Sequence, residues 1–98
     1  MTALLNDDEI RAALDQLPGW SGGQAHLVRE VAVEEADRDA LEDSVMKVAD
    51  ARNHHPEVER TENGLRFVIW TQSAGGVTAA DVELAAAIDQ VLSGSHAE

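Results

Sequence analysis

Apolar residues recur at helical spacing in three stretches of the chain, and alternate with polar ones between them. In the first stretch Ile10, Ala13, Leu14 and Leu17 share one face. Asn6 and Glu9 have the spacing of a capping box, and Leu5 and Ile10 that of a hydrophobic staple, so a helix is expected to open at Asn6 and to stop at Pro18-Gly19. Residues 1–5 are expected to be loose. Trp20 then opens a short edge strand, Ser21-Gly22-Gly23 turns the chain, and residues 26–33 (HLVREVAV) read as a strand. Over residues 38–52, Leu41, Val45, Val48 and Ala49 predict a second helix, with Asp37 placed to cap it. Asn53-His54-His55-Pro56 ends that helix, because the proline drives the residue before it out of the helical region. Residues 57–62 and 65–72 flank Asn63-Gly64, a strong hairpin signal. In the second of these strands Leu65, Phe67 and Ile69 share one face, and Arg66, Val68, Trp70 and Gln72 the other. After the Gly75-Gly76 turn, Thr78 opens a last helix. Asp81 sits at its third position, and Leu84, Ala85, Ile88, Val91 and Leu92 form its apolar stripe. Residues 93–98 are expected to fray.

The resulting order is α-β-β-α-β-β-α. The simplest packing is an α+β fold in which three helices cover one face of a four-stranded antiparallel sheet. Its other face and its edges stay open, and association with a second copy would cover them. A chain of 98 residues makes a single domain, 1–98. A core this small leaves little room for a deep pocket, so a site is expected to be shallow or completed by a second subunit.

Charge and cysteine usage narrow the function. Nineteen acidic residues against 7 basic ones give a formal charge of −12, which argues against direct contact with nucleic acid or an anionic membrane. A chain without cysteine has no disulfide or thiolate chemistry. With no long apolar run and no signal-like start, the reading is a soluble, cytoplasmic protein.

The candidate chemistry lies at His54 and His55, since histidine titrates near neutrality and suits proton transfer. Asp50, four residues before His54, is placed to reach its ring if the helix persists. A two-residue turn at Asn63-Gly64 pairs Glu62 with Leu65, which carries position 72 opposite His55 and position 73 opposite His54. Gln72 is then the expected third member of the site, and Trp70, on the same face, offers a flat surface for a ring. Packing under the sheet or at a subunit interface would equally explain Trp70, and an exposed polar helix end would explain the two histidines. No third metal ligand at workable spacing accompanies them, so no metal site is expected. His26 and His96 are isolated and take no role.

Asp50, Asn53-His54-His55-Pro56-Glu57, Gly75-Gly76-Val77-Thr78 and Asp81, together with the opening LNDDEIRAALDQLPGW, resemble the pterin-4a-carbinolamine dehydratase family over residues 4–92 without a gap. That family is also known for a dimerisation-cofactor role in transcription. The resemblance implies a four-stranded α+β sandwich assembled as a homodimer or homotetramer. It implies dehydration of 4a-hydroxytetrahydropterin to quinonoid dihydropterin, with no metal and no redox cofactor. Carried over by residue, His54 is an acid/base at the 4a position, and His55 binds and orients the pterin. Asp50 supports the first histidine, and Asp81 lies near the site, where it also reads as a helix cap. The binding set further includes Pro56, Trp70 and Gln72. Two positions depart from the family pattern: Gln72 stands where a third histidine is usual, and Glu62 where an aromatic is usual. Glutamine cannot act as a general acid, so the resemblance implies a weak or epimer-restricted enzyme, or a non-catalytic assembly or regulatory module.

Overall fold

The structure is a computed structural model that describes the backbone of residues 3–96 and the side chains of residues 3–93. Helix α1 spans Asp7–Asp15, strand β1 Trp20–Gly22 and strand β2 Leu27–Ala32. A short 3-10 turn over Glu35–Asp37 leads into α2, Arg38–Arg52. Strands β3 (Glu57–Arg60) and β4 (Gly64–Ile69) form a hairpin, and α3 runs from Ala79 to His96. The four strands form one antiparallel sheet in the order β1-β2-β4-β3. The expected α+β fold is therefore observed.

One face of the sheet carries Leu27, Leu65, Phe67 and Ile69, all fully buried. They join Ile10 and Leu17, Leu41, Val45 and Ala49 of α2, and Leu84, Ala85 and Ile88 of α3 in a single core. At about 1.5–3 kcal/mol for each large apolar side chain fully buried, this face is what holds helices to sheet. The other face shows half-buried Val28, Arg66, Val68 and Trp70 among exposed Glu30, Glu57 and Glu59. No helix among the described residues is long and apolar enough to cross a membrane.

Local signals hold at several ends and fail at others. The capping box of α1 is complete: Glu9 N–H donates to Asn6 Oδ1 at 2.8 Å, and Asn6 N–H to Glu9 Oε1 at 2.9 Å. Asp37 makes no side-chain cap to α2, because the 3-10 turn runs straight into the helix and already gives that end its backbone partners. The start of the chain is not loose where it is described. Leu4 bridges Thr78, and Leu5 N–H donates to the Val77 carbonyl at 3.0 Å. Helix α3 continues to His96, past the expected fraying point; Glu98 and Ala97 lie outside the described residues, as does the His96 side chain.

The hairpin corrects a prediction that matters for the site. Arg60 pairs with Leu65 and Glu57 with Val68, two positions along β4 from the expected register. The turn is centred on Glu62-Asn63: Thr61 N–H donates to the Gly64 carbonyl at 2.9 Å, and Gly64 N–H to Thr61 Oγ1 at 3.0 Å. Neither Asn63 nor Gly64 has the positive φ that an Asn-Gly turn exploits. Gly64 is instead a strand residue pressed against β2, where a Cβ would stand 1.9 Å from the Val31 carbonyl oxygen. Arg38 secures the turn by donating to the carbonyls of Val33, Thr61 and Glu62 at 3.1–3.2 Å.

Candidate functional site

The site begins at the end of α2. Asn53 takes the left-handed conformation (φ 54°, ψ 38°), which asparagine tolerates better than most residues. His54 N–H then returns to the Ala49 carbonyl at 3.1 Å, closing the helix. Past this reversal the two histidine rings diverge. His54 turns toward the start of α3, and His55 turns back onto the last turn of α2, where its Nε2 lies 2.6 Å from Asp50 Oδ1. Asp50 thus meets the second histidine, not the first as its spacing had suggested, because the left-handed Asn53 breaks the helical offset. Pro56 follows and is buried, which fixes the backbone under the pair.

His54 Nε2 is hydrogen-bonded to Asp81 Oδ1. The Asp81 carboxylate is fully buried, a position that would cost several kcal/mol for a charge without partners. It has them: Oδ2 accepts from Thr71 Oγ1–H at 2.7 Å and from Thr78 N–H at 2.8 Å, with the Thr78 hydroxyl at 3.3 Å. The first turn of α3 adds the favourable end of the helix dipole. Asp81 is therefore both a helix cap, through Oδ2, and a histidine partner, through Oδ1. A carboxylate oxygen only accepts, so His54 donates from Nε2 in this pair, and in the neutral imidazole the lone pair is then on Nδ1. Nδ1 makes no hydrogen bond among the described residues, and the His54 side chain is 20% exposed.

The segment that supplies Thr71 and Thr78 is tightly laced. Thr71 N–H donates to the Gly76 carbonyl at 2.9 Å, and the Thr71 carbonyl accepts from Ala74, Gly75 and Gly76. Gly75 has φ +80°, and a Cβ on Gly76 would stand 2.4 Å from the Gln24 carbonyl oxygen. Both glycines are needed to fold residues 71–76 back onto the start of α3.

Gln72 is exposed and makes no side-chain hydrogen bond to either histidine. Extending the observed register beyond β3 sets position 70 opposite His55 and position 71 opposite His54, so Thr71 takes the place the sequence reading assigned near the histidines. Thr71 was missed because the turn was placed one residue late; its position just before a Gly-Gly reversal onto Thr78 was the signal that pointed to it. Trp70, half-buried, is on the open face beside His55 in this register.

Two surface grooves lie elsewhere. One, of 630 Å³, is lined by Val31, Val33, Leu41, Asp37 and Leu92; the other, of 560 Å³, lies between α2 and α3 at Val48 and Val91. Neither holds a histidine. Among the described residues no three His, Asp or Glu side chains are arranged to hold a metal ion.

Comparison with known proteins gives a consistent result. Residues 3–91 match the family model described as pterin 4 alpha carbinolamine dehydratase. A Nocardia farcinica protein is 36% identical over 91 residues, covering 92% of this chain and 96% of its own length. A Mycobacteroides abscessus protein is 40% identical over 90 residues, covering 89% and 94%. The names of both assign them provisionally as pterin-4-alpha-carbinolamine dehydratases. A Brucella melitensis crystal structure, described as a transcriptional coactivator/pterin dehydratase, shares the fold with a TM-score of 0.81 at 24% identity, over 90% of this chain and 97% of that one.

Proposed function

The chain belongs to the pterin 4 alpha carbinolamine dehydratase family, and from that membership and the His54–Asp81 pair we propose that it dehydrates 4a-hydroxytetrahydropterin to the quinonoid dihydropterin. In this reaction the C4a–O bond breaks, and the hydroxyl leaves as water once it has taken a proton. The adjacent ring nitrogen gives up its proton, and a C=N bond forms. The oxidation level does not change, so what side chains must supply is a proton donor for the hydroxyl and an acceptor for the ring-nitrogen proton.

The observation that carries the reading is His54, held at Nε2 by a buried carboxylate, with Nδ1 making no hydrogen bond among the described residues. Its Nδ1 lone pair takes the proton of the ring nitrogen, or, once protonated, delivers one to the departing hydroxyl. Asp81 fixes the tautomer and steadies the imidazolium as it forms. His55, oriented by Asp50, binds the pterin, and Trp70 supplies a flat surface for its ring. Buried Pro56 sets the path of the backbone, and exposed Gln72 borders the site one residue from Thr71.

A glutamine at the rim supplies no second general acid, which supports a weak enzyme or one restricted to one 4a epimer. The same exposed, unengaged Gln72 favours a second reading, in which the chain keeps the fold as a non-catalytic assembly or regulatory module. Association as a homodimer or homotetramer belongs to both readings, supported by the uncovered sheet face with Val28, Val68 and Trp70. Dehydration assayed on each separated 4a epimer decides between them. The enzyme reading expects acceleration over the spontaneous rate for at least one epimer; the module reading expects none for either, from a folded, self-associating protein.

A further inference from the structure

We propose that Thr71 is a positioning residue for His54, acting through Asp81, and that the Thr78–Thr71–Asp81–His54 chain sets which imidazole nitrogen faces the substrate. Its catalytic consequence rests on the dehydratase reading; its effect on the tautomer does not.

Each link follows from geometry. The Thr71 and Thr78 hydroxyls share a hydrogen bond of 2.8 Å, and Thr71 Oγ1 lies 2.7 Å from Asp81 Oδ2. Every hydroxyl has one proton to give. If Thr71 gives its own to the carboxylate, Thr78 gives its own to Thr71, and the short distances are all satisfied at once. Thr78 Oγ1 stands farther from Asp81, at 3.3 Å, so Thr71 is the side chain that holds Oδ2. With Oδ2 occupied by Thr71 O–H and Thr78 N–H, Oδ1 is the oxygen left for His54 Nε2–H. The carboxylate cannot rotate without breaking both Oδ2 bonds in a buried site, where a lost partner costs most. Thr71 itself is held by four backbone hydrogen bonds to residues 74–76, which fix the main chain that carries its hydroxyl. A chain that pins the carboxylate also pins the imidazole, leaving Nδ1 toward the reaction.

The test uses Thr71→Val, which removes the hydroxyl at nearly constant volume, Thr71→Ser, which restores it, and ¹⁵N–¹H NMR of the His54 ring. Wild-type protein is expected to show a single neutral tautomer with the proton on Nε2. Thr71→Val is expected to show a mixture of tautomers and to lower kcat by about ten- to hundredfold with little change in KM, the scale of losing one hydrogen bond to a charged group. Thr71→Ser is expected to recover the single tautomer and most of kcat. Should Thr71→Val fail to fold, Thr71→Ala removes the same hydroxyl without forcing an apolar methyl against the carboxylate, and its spectrum takes the place of the first. A folded hydroxyl-free variant that keeps the pure Nε2–H tautomer overturns the proposal. If wild type turns over no pterin but the tautomer still depends on Thr71, the dehydratase reading fails and this inference stands.

Discussion

Two histidines next to each other in the chain are held by two aspartates of very different standing. Asp81 is fully buried with its oxygens occupied, whereas the Asp50 side chain is 70% exposed and its partner His55 45% exposed. An exposed pair of this kind contributes about 0–1 kcal/mol, while breaking up a buried, fully hydrogen-bonded carboxylate costs about 1–3 kcal/mol or more. Asp50→Asn is therefore expected to leave thermal stability within about 1 kcal/mol of wild type. Asp81→Asn is expected to lose about 1–3 kcal/mol and to lower dehydration far more than Asp50→Asn. Denaturant melts and rate assays on the two variants check this; equal effects would mean that burial does not set their importance. The capping role of Asp81 was legible in the sequence because its helical offset from Thr78 is fixed whatever surrounds it, while its place near the site was implied only by the family resemblance. The partners of the two histidines were not, because they depend on the left-handed turn at Asn53, which a count along an ideal helix cannot represent.

At the scale of elements, helix positions were readable and hairpin register was not. Helix α2 runs over Arg38–Arg52 as expected, since a proline and a helix-ending asparagine mark its close. For the β3–β4 hairpin, Asn63-Gly64 invited a turn that uses glycine for positive φ. The fold uses Gly64 for its missing side chain, so that β4 can approach β2. Because the register moved by an even number of residues, every side chain kept its predicted face while its cross-strand neighbour changed. That is why the core was correctly read although the position set opposite His55 was Gln72 and, in the observed register, is Trp70. Gly64→Ala tests this account. With a Cβ 1.9 Å from the Val31 carbonyl oxygen, it is expected to cost about 1–3 kcal/mol or more, the range for overpacking. A denaturation midpoint unchanged from wild type would contradict the close approach.

For the whole molecule the formal charge of −12 is the dominant electrostatic fact. The radius of gyration is 13.1 Å, so at low salt, where the Debye length is about 30 Å, every carboxylate repels every other across the fold. Near 0.15 M the screening length falls to about 8 Å and most of that repulsion disappears. Thermal stability is therefore expected to rise with added sodium chloride, and each kcal/mol of repulsion relieved raises Tm by about 4–8 °C in a domain of this size. A melting temperature that falls over the same range would show that favourable ion pairs, such as Arg60 with Asp39, outweigh the net charge. The same acidity favours a small, nearly neutral ligand over a polyanion, in keeping with a pterin.

If His54, set by Asp81, carries the proton chemistry of carbinolamine dehydration, removing its ring removes most of the catalysis. The most direct test is the rate of that dehydration with purified wild-type protein and with His54→Ala, each measured against the spontaneous rate. Wild type is expected to exceed the spontaneous rate, and His54→Ala to lose about 10²–10⁴-fold of catalysis, the usual share of one general acid or base. A wild-type rate equal to the spontaneous one, or an undiminished rate in His54→Ala, would contradict the claim.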